Sequence, residues 1–227
     1  MKRKNVSLLL ALCIALFFSA IANAQTVTIG SQVWCTKNLD VTTFRNGDVI
    51  PQAKNHDEWK SAVKNKQPAW CYYYYDPVYG EKYGKLYNWY AVSDYRGLAP
   101  VGFHIPSEDE YSLLKLNLDE EWRHDHNGMP IGVSFMGLSG NKLKSTSGWA
   151  NGGNGNNSSG FNAQPGGCCY HKDGKFGLQG SMGFWWTASS TSAKKAYRFN
   201  LWSGGNLATE CALENKGNGY SVRCLKD

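Results

Sequence analysis

The sequence predicts an α+β fold, and three observations carry that prediction. Strand-like runs stand near both ends and helical patterns stand between them, which is not the strict strand–helix alternation of a parallel sheet. The stretch YGKLYNWYAVSDYRGLAPVGFHIPSEDEYSLLKLNL, from Tyr83 to Leu118, contains the clearest helix start in the chain. Thirteen of the twenty-five glycines fall within 137–183, beside many Asn and Ser, so a long loop region separates the helices from the last strands. Trp149, Phe161, Phe176 and Leu178 interrupt that region and can pin it to a core.

Taken in order, Thr26 to Ile29 and Val33 to Cys35 flank Gly30-Ser31-Gln32 and read as a first hairpin. Val41 to Phe44, then Asn46-Gly47, then Val49-Ile50 carry a strong turn signal. Asn55 caps a helix with Glu58 at its third position and Trp59, Ala62 and Val63 on its apolar face. Trp70 to Tyr75 reads as an aromatic strand ended by Asp76-Pro77. Leu86, Trp89 and Tyr90 have the i, i+3, i+4 spacing of a short helix face. Ser107-Glu108-Asp109-Glu110 reads as a capping box after Pro106. Tyr111, Leu114, Leu118 and Trp122 then share one helical face. Late strands are expected at Phe184 to Ser190, Ala196 to Trp202 and Tyr220 to Leu225, with a turn at Ser203-Gly204-Gly205-Asn206. No internal repeat is visible.

Residues 1–24 have the parts of an export signal. Lys2, Arg3 and Lys4 form a charged start, Val6 to Phe18 is an apolar run too short to span comfortably, and Ala22-Asn23-Ala24 is a small-residue cleavage site. The expected mature chain is one domain, 25–227, with no membrane span after cleavage, located in the periplasm, at the cell surface or outside the cell. An uncleaved anchor is the alternative, and Cys13 lacks a preceding lipobox. Losing the three early charges lowers the formal balance from +6 to +3, too weak and too dispersed to argue for nucleic acid. Six cysteines remain, at 35, 71, 168, 169, 211 and 224, an even count that permits disulfides in an exported chain without fixing their connectivity.

YGKLYNWYAV, then RGLAP-x-GFHIPS-x-x-E, then the terminal GYSVRCLKD resemble the Fibrobacter succinogenes major paralogous domain family. The opening IGSQVWCTKNLDVTTFRNGDVIPQ and the segment PAWCYYYYDP fit the same pattern. The resemblance covers nearly the whole mature chain. It implies a fold like that of C-type lectins and formylglycine-generating enzymes, with the terminal strand returning to the first hairpin. It implies no agreed activity. Relatives often carry a second cysteine in the segment that here reads Asp76 to Gly80, paired to the one matching Cys71. Gly80 carries no thiol there, so Cys71 either takes another partner, with Cys224 in the last strand as the candidate, or stays free.

His124-Asp125-His126 is the one cluster with metal ligands, but it follows a helix and lacks a third ligand at a telling distance, so a solvated loop is the plainer reading. Calcium could be held by Asn and Asp oxygens of the long loop, yet the Glu-Pro-Asn, Gln-Pro-Asp and Trp-Asn-Asp motifs of sugar-binding C-type lectins are absent. No metal and no cofactor is therefore expected. The carboxylates Glu108, Asp109, Glu110, Asp119, Glu120 and Glu121 belong to a helix start and a helix end rather than to an acid/base pair. No G-x-S-x-G elbow occurs, and Cys211 and Cys224 lack the surroundings of the paired cysteines of formylglycine-generating enzymes. His104 in GFHIPS reads as a core or loop-fixing residue.

A binding surface remains. Trp149 and Asn154 in the loop 148–160, and Arg198, Asn200, Trp202 and Asn206 along a late strand and its turn, offer aromatic planes beside amide and guanidinium donors. Core packing is the alternative for both tryptophans. The expected function is non-catalytic binding or adhesion toward a glycan or a surface protein. The alternatives are an enzyme on the same fold, or a structural component of the cell surface.

Overall fold

A computed structural model describes residues 25–119, 139–205 and 208–227. The expected signal segment, Trp122, His124-Asp125-His126 and Asn206 lie outside the described residues. In chain order the elements are β1 (Thr26–Ile29), β2 (Gln32–Cys35), α1 (His56–Lys64), β3 (Trp70–Cys71), α2 (Gly80–Tyr83), β4 (Leu86–Tyr87), α3 (Trp89–Val92), β5 (Phe103–His104), α4 (Glu108–Leu118), α5 (Ser139–Leu143), β6 (Cys168–Cys169), β7 (Phe176–Gly177), β8 (Met182–Ser190), β9 (Lys195–Trp202), β10 (Ala208–Asn215) and β11 (Leu225–Lys226). Helices and short antiparallel sheets are thus mixed, as the sequence predicts.

One sheet has the order β1-β2-β11-β5, so the last strand lies between the first hairpin and the middle of the chain. A second has the order β10-β9-β8, and β3-β4 and β6-β7 are two-stranded ribbons. The β8–β10 sheet has two chemically different faces because side chains alternate across a strand. Trp185, Phe199 and Leu201 face a core shared with Trp34, Tyr111, Leu114 and Phe161. Phe184, Trp186 and Ala196 face another core that includes Tyr220 and Val222. A third cluster gathers Trp59, Cys71, Tyr73, Leu86 and Cys169.

The strongest local signals form as expected. Ser107 Oγ accepts from Glu110 N at 3.2 Å, and the Glu110 carboxylate accepts from Ser107 N at 2.7 Å, so the capping box closes. Tyr111, Leu114 and Leu118 are buried beneath α4. Asn55 Oδ1 caps α1 through Asp57 N and Glu58 N, with Trp59 buried.

Elsewhere tertiary pairing overrides the local pattern. Leu86 and Tyr87 pair with Cys71 and Trp70, and the helix starts only at Trp89, because Asn88 Oδ1 takes the N–H of Ala91 and ends the strand. The run Trp70 to Tyr75 is a strand for two residues only; Tyr74 and Tyr75 turn left-handed, at φ of 54° and 59°, within a 3-10 turn. The Val41–Ile50 segment keeps its turn but contributes a single bridge, Thr43 to Val49. Tyr220 and Ser221 make isolated bridges to Tyr87 and Trp185, and only Leu225 and Lys226 form a strand proper. The loop region carries α5, β6 and β7, and β10 has no counterpart among the expected strands.

Among the described residues, Cys35, Cys71, Cys168, Cys169 and Cys224 are not joined by a disulfide in this structure. The suggested Cys71–Cys224 pairing does not fit this packing. Cys71 lies in the cluster of Cys169, whereas Cys224 lies in a different core and faces Cys35, whose N–H donates to its carbonyl at 3.0 Å.

Candidate functional site

Two hairpin segments and one sheet face enclose a cavity of about 420 Å³. Its floor is the Phe184 and Arg198 end of the β8 and β9 face that packs on the core of Tyr220 and Val222. Register explains the grouping: Arg198 opposes Trp186 and Ala212, while Phe184 opposes Asn200, so these side chains share one face. One wall is the hairpin from Cys168 to Phe176, and the other is the 214–220 turn, with Glu214, Asn218 and Tyr220.

The hairpin is built for a tight approach. Gly174 has φ of +69°, and a Cβ there would fall 2.9 Å from His56 Cα, so the turn admits only glycine without displacement. Tyr75 Oη donates to Gly174 O at 2.8 Å, and Lys175 N donates to Asp173 Oδ1 at 3.1 Å. Asn218 Nδ2 donates to Tyr220 Oη at 2.9 Å, which turns Asn218 Oδ1 toward His171. That oxygen takes His171 N at 3.1 Å and His171 Nδ1 at 2.7 Å. The proton on the neutral ring is therefore at Nδ1, leaving Nε2 as an acceptor.

Arg198 is fixed on several sides. Its guanidinium lies 4.8 Å from the Phe184 ring centroid, donates to Asn200 Oδ1 and reaches Glu214 Oε1 at 3.4 Å. Phe184 stacks on Tyr220 at 5.0 Å and 29°. Phe184 and Tyr220 are thus packed as a lining that holds Arg198 in place, and Tyr170, 39% exposed, is the aromatic ring open to a ligand.

The cavity also contains a thiol. Burial pushes Cys168 up to about 11, against the lowering effect of Tyr170, so at neutral pH it is a thiol and a poor nucleophile. Burial likewise pushes the Tyr170 phenol up to about 12, so it stays a hydrogen-bonding hydroxyl. Among the described residues, no group of three His, Cys, Asp or Glu side chains could hold a metal ion, and no helix is long and apolar enough to cross a membrane.

The sequence-predicted site divides on this geometry. Trp149 is only 4% exposed, and its Nε1 donates to Ser145 Oγ at 3.0 Å and Ala163 O at 3.2 Å; it is a core residue, not a surface plane. Asn154 is exposed and its Oδ1 takes Trp149 N at 3.0 Å. Asn200 is buried and helps to hold Arg198. Trp202 is 48% exposed, at the end of β9 beyond the cavity, with its ring against Gly204. The two expected segments do meet, since Gly153 lies against the backbone of Ser203. Lys144 Nζ, itself buried, donates to Gly205 O at 2.9 Å and fixes the same turn.

Tyr170, His171, Glu214, Asn218 and Tyr220 were not among the expected site residues. Asp173-Gly174 was the available signal, because Asp-Gly between strand-like residues marks a hairpin. No curated protein and no solved structure matches the chain. The family model of the Fibrobacter succinogenes major domain matches residues 27–226, which spans every element from β1 to β11. The chain therefore belongs to the Fibrobacter succinogenes major domain family.

Proposed function

We propose that this chain is a non-catalytic ligand-binding module that works outside the cytoplasm, on a C-type lectin-like scaffold, and takes a glycan or a segment of a surface protein. The cavity over Arg198 carries this reading. It offers one exposed aromatic plane, Tyr170, beside the charged groups of Arg198 and Glu214, over a packed lining of Phe184 and Tyr220, and it is large enough for a sugar ring or a side chain. The protonated thiol of Cys168 weighs against a cysteine hydrolase in the same place. The charged start and short apolar run of residues 1–24 support export.

The test is a screen of chain 25–227 against glycans and surface proteins, followed by titration of any hit with Tyr170→Ala, Arg198→Lys and Trp202→Ala. Tyr170→Ala and Arg198→Lys are expected to weaken binding at least tenfold with the circular dichroism spectrum unchanged. Trp202→Ala is expected to cost about 1 kcal/mol of stability, against roughly 3–5 for a fully buried tryptophan. Its effect on binding reports whether the ligand extends beyond the cavity along β9. Full binding by both cavity variants would move the site elsewhere.

A further inference from the structure

We propose that Cys71 and Cys169 are a disulfide-forming pair, which fastens the aromatic segment after β3 to the hairpin that walls the cavity. Both residues are completely buried, and they share one core cluster with Trp59, Tyr73 and Leu86. Cys169 lies close enough to Cys71 to reinforce the effect of burial on it, Tyr75 lies beside both, and the Cys169 thiol donates to Gly174 O at 3.5 Å, on the hairpin itself. The competing cysteines are directed elsewhere. Cys168 and Cys169 are successive residues of β6 and point to opposite sides, Cys168 toward the cavity and Cys169 into the core. Cys224 sits opposite Cys35 across the β2–β11 pair. Cys211 packs against the core beneath α4.

Burial also sets when the bond closes. A thiol must lose its proton to attack, and desolvation raises Cys71 well above its ordinary value in the folded chain. Closure therefore belongs to folding, before the cluster excludes water. A disulfide-bearing oxidant of the exported compartment supplies the redox change. One cysteine thiolate attacks the oxidant's disulfide, breaking its S–S bond and releasing one thiolate, to give a mixed disulfide; the second cysteine thiolate then attacks the sulfur of the first cysteine, breaking the mixed disulfide and releasing the oxidant's other thiolate. The two cysteines together give up two protons and two electrons, and the oxidant leaves as its dithiol. The bond would span a long stretch of chain, and it would brace the left-handed Tyr74-Tyr75 turn against the Gly174 hairpin.

The experiment refolds chain 25–227 in a mixture of reduced and oxidised glutathione, blocks free thiols with N-ethylmaleimide in denaturant, and maps the unreduced peptides by mass spectrometry. The expected result is a cross-linked peptide joining Cys71 to the Cys168-Cys169 segment, and the same link in Cys168→Ala. Loss of the link in Cys168→Ala would give the partnership to Cys168 and overturn the assignment. An alkylated Cys71, or Cys71 joined to any other cysteine, would overturn it as well. In Cys169→Ser, Cys71 is expected to be the one newly alkylated residue, and the hairpin 170–175 is expected to be cut faster by a protease. The peptide map of the unsubstituted chain decides the matter even where a variant fails to fold.

Discussion

Arg223 is the residue most at odds with ordinary side-chain behaviour. It is fully buried, and burial pushes its guanidinium down to about 10. Its partners are neutral oxygens: Phe161 O at 2.6 Å, Cys35 O at 3.0 Å and Asn38 Oδ1 at 2.8 Å, with the Phe161 ring 4.5 Å from the cation. It thereby ties the first hairpin, the glycine-rich region and the final segment at one point. Arg223→Met keeps the bulk and removes the donors, so each stranded acceptor is expected to cost about 1–3 kcal/mol. Urea unfolding is expected to show a large drop in midpoint, and an unchanged midpoint would mean that water replaces the guanidinium freely. His104 makes a second link, with Nδ1 2.8 Å from Asp227 Oδ1 and Nε2 2.9 Å from Glu110 Oε1. Burial opposes a charged ring here, but the two carboxylates outweigh it and raise the imidazole above its ordinary 6.5. A raised folded value means that the stabilisation is complete below 6.5 and fades as pH rises through the raised value. Glu110 has the opposite sign. Burial raises it, while Ser107 and His104 lower it by more, so its contribution fades only as pH falls below the ordinary 4.5. A Tm series from mildly acid to mildly alkaline pH is expected to fall more steeply in the natural chain than in His104→Gln.

Among the elements, α4 depends most directly on its own sequence. Ser107→Ala removes one half of the capping box and is expected to cost about 0.5–2 kcal/mol, read as a lower urea midpoint. An unchanged midpoint would mean that the Glu110 carboxylate holds the helix start unaided. This element was legible because every group that defines it lies within a few residues, and the same holds for α1 with Asn55 and Glu58. β9 was legible from alternation, the first hairpin from two strand-like runs flanking Gly30-Ser31-Gln32, β8 from its apolar start, and the return of β11 to β2 from the family resemblance. What escaped had remote causes. Leu86 reads as helical until Cys71 claims it as a strand partner. The sequence ATECALEN has helix-forming composition, yet β9 recruits it as β10. The site was half legible for the same reason. Arg198 could be placed on a strand face, but its wall comes from a hairpin and a turn on either side of it in sequence, and Trp149 gave no sign that Ser145 and Ala163 would take its indole into the core.

At the scale of the molecule, the fold is closed by the segment 216–225. Residues 216–225 are buried without interruption, and they touch all three core clusters or their neighbours through Gly219, Tyr220, Val222, Arg223 and Cys224. Truncation after Gly219 is therefore expected to yield an unfolded product rather than a shortened domain, with a flat near-ultraviolet dichroism spectrum. A sharp cooperative melt from that fragment would show that the remaining elements suffice. The dominance of long-range contacts leads the same way, since pairings between distant segments form late and slowly. This architecture has a consequence for biogenesis. The elements before residue 216 leave the ribosome first, and their cores stay open until the segment 216–225 emerges to fill them. The order of synthesis thereby works as a timer: a half-made chain has no finished core to lock, and closure waits for one ten-residue key.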